Sequence, residues 1–160
     1  MFGIRKSFTT GVGFGLTSGI ITTLGLMVGL YSGTQSESVV VSGILIIAFT
    51  DALSDALGMH ISQEADKANT HKEVWESTFA TFFTKLIIAL TFVVPVLLLE
   101  LPMAIIISII WGVSLISLFS ALLARQNKQK AWGVVSEHVI IVLLVVIATY
   151  YIGEGIAVIF

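Results

Sequence analysis

The sequence predicts an all-α, polytopic membrane protein of five transmembrane helices, with a cytosolic N-terminus and the C-terminus outside. Three observations carry this. The 160 residues are 56% hydrophobic and 11% charged, with mean hydropathy +1.02, against about 25% charged in a soluble domain. Five apolar runs are each long enough to cross a hydrocarbon core of about 30 Å at about 1.5 Å per residue. Seven of the eight Lys and Arg residues fall on one side of the alternation those runs impose. The positive-inside rule makes that side cytosolic. The chain therefore reads as a single transmembrane domain over 1–160, multi-pass, expected in a prokaryotic inner membrane. The absence of cysteine excludes disulfides, thiolate metal sites and cysteine nucleophiles. No run of like charge is long enough for a nucleic-acid surface.

The first span, about 8–31, follows the basic stretch MFGIRK. A cleaved signal peptide would begin the same way, but the apolar run continues to Tyr31 without an A-x-A-like site. Gly11, Gly15 and Gly19 repeat every four residues, as do Gly25, Gly29 and Gly33. Such rows let helix backbones approach closely. They serve either packing within one subunit or a dimer interface. The second span is about 39–62, and the third, about 77–99, contains Pro95, which predicts a kink. The fourth, about 102–123, starts at Pro102 after a tight turn, and the fifth is about 134–158. Arg5, Lys6, Lys67, Lys72, Arg125, Lys128 and Lys130 share the cytosolic side, where Trp75 and Trp132 are placed as interfacial aromatics. Lys85 is the lone basic residue inside a span. It is placed close enough to the cytosolic side to snorkel, and pairing with an aspartate is the other use open to it.

The second span ends in DALSDALGMH, residues 51–60. Asp51 and Asp55 are four apart, so they share a helix face about 6 Å apart along the axis. Met59 lies beside that face and Ser62 continues it. His60 and Glu64 form a second stripe nearer the cytosol, a candidate entry. With a core that begins near Val39, Asp51 lies beyond the midplane toward the cytosol. An ionised aspartate at helix centre costs roughly 2.5–3.5 kcal/mol on insertion. A transient cation is one explanation for such residues, and an ion pair with Lys85 is another. Carboxylates alone suit Mg²⁺, Ca²⁺ or Mn²⁺, whereas an adjacent thioether favours first-row transition metals such as Fe²⁺ or Mn²⁺.

Two enzyme classes also use paired membrane aspartates. Phospholipid synthases of the CDP-alcohol type need an upstream D-G-x-x-A-R and a glycine where this chain has Ile47. Intramembrane aspartyl proteases place their aspartates on separate helices. Neither pattern fits, and no enzyme is expected.

Three stretches resemble the vacuolar iron transporter family. LTSGIITTLGLMVGL (16–30) is similar to the family's first-helix element. ALSDALGMHIS (52–62) overlays its second-helix pattern, with Ser54, Gly58 and Ser62 on family positions. ATYYIG (148–153) resembles the closing TYLIG. The order of groups differs: the family's first-helix aspartate falls on Ser18, its methionine on Asp55 and its glutamate on Met59. The joint QEADKANTHKEVWE is too short for the family's cytosolic metal-binding domain; its Glu64, Asp66, His71 and Glu73 form either a modest collecting patch or a solvated loop.

The resemblance implies a homodimer that moves Fe²⁺ or Mn²⁺ out of the cytosol in exchange for protons, along a path between subunits, with no permanently bound cofactor. On the residue reading above, Asp51 and Asp55, then Met59, are the expected metal ligands, the aspartates also carrying protons. Ser18 and Thr22 share a face of the first helix and either line the path or hydrogen-bond within the bundle. Glu154, near the outer end of the last helix, is a candidate exit residue. The alternatives are transport of another cation, or a non-transporting membrane subunit with its aspartates paired to Lys85 or to a partner.

Overall fold

A computed structural model describes residues 6–159; Arg5 of the basic N-terminus lies outside them. The described residues form six helices: α1 (Lys6–Thr34), α2 (Glu37–Ala65), α3 (His71–Thr91), α4 (Val93–Leu98), α5 (Leu101–Gln126) and α6 (Ala131–Ile159). With α3 and α4 taken as one broken span, five segments are long and apolar enough to cross a membrane. The protein is an integral, multi-pass, all-α membrane protein.

Each helix runs a few residues past its expected limits, because the joints are tighter than the polarity of the sequence suggests. Gln35 takes a left-handed φ of 50° and closes α1 through its N–H to the Tyr31 carbonyl (2.9 Å). The stretch T-H-K-E starts α3 at His71 rather than at about residue 77, the start expected from the length of the apolar run. Thr70 accepts from the Glu73 N–H, and the Glu73 carboxylate accepts from the Thr70 N–H (2.9 Å), a reciprocal capping box. Glu73 and His71 are thereby drawn into the first turn of α3. The joint itself is reduced to residues 66–70.

The kink expected at Pro95 is present. Proline has no N–H for the Thr91 carbonyl and its ring crowds it, so α3 ends at Thr91 and Phe92 bonds back to Ala89 (3.1 Å). Trp111 Nε1 donates to Thr91 Oγ1 (3.2 Å) and ties α5 to the break. Pro102 occupies the first turn of α5, where no N–H is needed.

Helix α1 is the axle of the bundle, and both glycine rows are used within the chain. A Cβ at Gly15 would sit 2.6 Å from the Thr81 carbonyl oxygen, and one at Gly11 2.8 Å from Ala80 Cβ. The first row therefore admits α3. Gly25 faces Val145, Gly29 faces Thr149 and Gly33 faces Gly153, so the second row admits α6 on the half of α1 away from the basic end. Helix α6 is otherwise peripheral, with Val142 and Gly153 as its buried residues. Between α2 and α6, over the exposed face of α1, runs an apolar cleft in two lobes of about 530 and 590 Å³ that share Leu26, Leu30 and Ile47.

The α1–α3 contact has no room for a side chain at Gly15. We expect Gly15→Leu to destabilise the bundle by about 1–3 kcal/mol or more. Gly155→Leu, at a position where a Cβ meets nothing within 4 Å, leaves the melting temperature in detergent unchanged.

Candidate functional site

The close approach of α3 to α1 determines where Lys85 goes. Its stem lies against Gly19, where a Cβ would meet Lys85 Cγ at 3.3 Å. The residue is 1% exposed. The expectation that Lys85 snorkels to the basic side is therefore corrected. Its ammonium is enclosed by α1 and α2 and forms ion pairs with Asp51 and Asp55.

The cluster is unequal. Asp55 Oδ2 accepts from Lys85 Nζ and from Ser18 Oγ, the latter at 2.6 Å. Lys85 Nζ also lies 2.8 Å from Ser18 Oγ, so lysine, serine and aspartate close a three-membered ring of contacts. Asp51 Oδ2 approaches Nζ at 2.5 Å as an ion pair, but without the alignment of a hydrogen bond. Asp55 also accepts from Ser18, whereas Asp51 meets Lys85 alone. Two carboxyl groups thus share one lysine. The aspartate side chains keep 25% and 21% of their surface, while lysine keeps 2%.

Asp51 is fourteen residues from Glu37 and fourteen from Ala65, the midpoint of α2. About 21 Å of helix extends on either side.

The other expected residues divide into those near the cluster and those apart from it. Met59 is buried one turn beyond Asp55 toward the basic end. Thr22 stands one turn from Ser18 on the opposite side, donates to the Ser18 carbonyl (2.9 Å) and lines the apolar cleft. Ser62 and Glu64 are exposed. His60 is occupied in packing: Nδ1 lies 3.0 Å from Thr78 Oγ1, and the ring meets Trp75 edge-on at 4.6 Å. Trp75 in turn donates to His71 Nε2 (3.1 Å). Glu154 is exposed beside Tyr150, well away from the aspartates. Among the described residues, no three His, Asp or Glu side chains converge as a metal site. A cation here would rely on Asp51 and Asp55, with Ser18 or Met59 completing the donors.

Lys85 was legible as a candidate partner because it is the lone base within a span. Its enclosure was not, since that depends on which glycines face α3. Comparison with protein-family models, with curated proteins and with solved structures finds no match for this chain.

Removing the ammonium alone strands two carboxylates. Lys85→Met is expected to cost about 3 kcal/mol, at the low end of the range for a broken buried pair because the carboxylates stay partly exposed. Adding Asp51→Asn and Asp55→Asn to that variant restores much of the loss. Asp55→Asn alone lowers the melting temperature more than Asp51→Asn, since Asp55 also holds Ser18. Thermal unfolding in detergent micelles reads all four.

Proposed function

We propose that this protein exports a divalent transition metal, Fe²⁺ or Mn²⁺, from the cytosol in exchange for protons. The observation that carries the reading is the excess carboxylate at mid-helix depth: two aspartates share one lysine, and both keep open surface. A bundle needing only a helix clamp gains nothing from an unbalanced charge that costs roughly 2.5–3.5 kcal/mol to insert. A cation that arrives and leaves uses that charge. Lys85 is then a tethered cation that holds the carboxylates when cargo is absent, and a metal ion must displace it.

Buried Met59, next to Asp55 on the basic side, supports a transition metal over Mg²⁺ or Ca²⁺. The resemblance of three stretches to vacuolar iron transporters supports the same choice. Carboxylates that bind metal in one state and protons in another supply the exchange. On this reading the basic end is cytosolic, the membrane is a prokaryotic inner membrane, and the path continues from the cluster past Thr22 and Thr50 along the α2–α6 cleft. A second copy of the chain would seal that cleft, which gives the homodimer and a path between subunits. One observation favours a second reading: the Lys85 ammonium already has Ser18, Asp51 and Asp55 as partners. A non-transporting subunit that uses the cluster as a clamp has the same contacts.

Flux into proteoliposomes separates the two. Wild-type protein is expected to move Fe²⁺ or Mn²⁺ in preference to Mg²⁺ and Ca²⁺, with counterflow of protons. Asp51→Asn, the milder substitution for stability, is expected to cut metal flux at least about tenfold, the effect of about 1.4 kcal/mol on one ligand contact. Flux that survives both Asp51→Asn and Asp55→Asn removes the ligand assignment. No flux for any cation in folded wild-type protein leaves the clamp reading.

A further inference from the structure

A second polar recess lies on the other side of α1 from the aspartates. The two glycine rows make it. Gly25, Gly29 and Gly33 hold α6 close to α1 on the half away from the basic end, whereas toward the basic end Gly11, Gly15 and Gly19 face α3 and Gly13 faces Phe119 of α5. Helix α6 therefore splays from α1 as it nears Ala131. The opening is a crevice of about 450 Å³ between α1, α5 and α6. Its mouth carries Lys6, Gln126 and Asn127, and its wall carries His138.

At Thr17 and His138 the crevice meets a further space of about 220 Å³ bounded by Ile21, Ile116 and Ile141. Ser120 donates to the Ile116 carbonyl (2.6 Å) and lies 2.7 Å from His138 Nδ1, which fixes the imidazole as the throat between the two parts. A cationic, amide-rich mouth thus leads into an apolar slot that runs toward the membrane interior.

We propose that this crevice binds an anionic glycerophospholipid. The phosphate sits at the mouth, where the Lys6 ammonium and the Gln126 and Asn127 amides are donors. One acyl chain enters the slot past His138 to Ile21 and Ile141. Arg125, Lys128 and Lys130 belong to the same end and raise the local concentration of anionic lipid. The inference is independent of what the aspartates carry.

The test is native mass spectrometry of the full chain from mixed micelles containing phosphatidylglycerol, phosphatidylcholine or inorganic phosphate, with helical circular dichroism as a check on each variant. Wild type is expected to retain phosphatidylglycerol at least about fivefold better than phosphatidylcholine, and to retain no phosphate. Lys6→Gln lowers phosphatidylglycerol retention about fivefold, the factor one basic side chain contributes at an anionic surface. Ile141→Trp, which fills the slot from a partly exposed position, lowers retention without altering charge. Gly155→Leu, far from the lining near the other end of α6, changes it less than about twofold. Equal retention of the two lipids, phosphate binding as strong as lipid binding, or indifference to Lys6→Gln overturns the proposal.

Discussion

An ammonium enclosed among apolar helices needs its anions at contact distance, because the effective penalty for burying one ion is several kcal/mol. Lys85 meets that condition through Asp55, Asp51 and Ser18, which come from two other helices. The cluster thus fixes three helices at once. Rotating α3 by one residue, about 100°, would carry the ammonium away from all three partners. The close approach that makes the contact possible depends on Gly11, Gly15 and Gly19, which leave no bulk between α1 and α3. The ion pairs set the register and the glycines allow it; neither is sufficient alone.

The second glycine row extends this logic. Helix α6 approaches α1 closely at Gly25, Gly29 and Gly33. Two open spaces flank that contact. One is the apolar cleft between α2 and α6, which begins a turn from the ion cluster at Thr22 and Ile47. The other is the polar crevice at the basic end, where α6 has left α1. A helix that packed along its full length would have closed both. In lipid there is no hydrophobic drive to close them, since tails fill such spaces as well as side chains do.

The spans were legible because hydropathy over about 20 residues is a local property. The Pro95 break, the start at Pro102 and both glycine rows were legible for the same reason. The early start of α3 was written locally too, in Thr70 and Glu73, but polarity in that stretch masks the capping box. The partners of Lys85 were only half legible. Spacing puts Asp51 and Asp55 on one face, yet which helix that face meets depends on tertiary packing. His60 shows the limit most clearly. On a helical wheel it stands opposite the aspartates, and its pairing with Thr78 and Trp75 depends on how α2 crosses α3 near their joint.

The second aspartate is the strongest argument for a role beyond packing. Lys85 with Asp55 and Ser18 is already a complete neutral clamp: one donor, one anchored acceptor and a bridging hydroxyl. Asp51 adds no aligned hydrogen bond to it. It adds a negative charge at the midpoint of a membrane helix, where charge is most costly. Buried ion pairs are commonly no better for stability than well-packed apolar residues of similar volume, so an unbalanced one is worse. A second carboxyl group beside a lysine that the first already satisfies is the feature on which the proposed cation site rests. Lys85 can satisfy one carboxylate fully and a second only in part, and the remaining attraction is available to a cation.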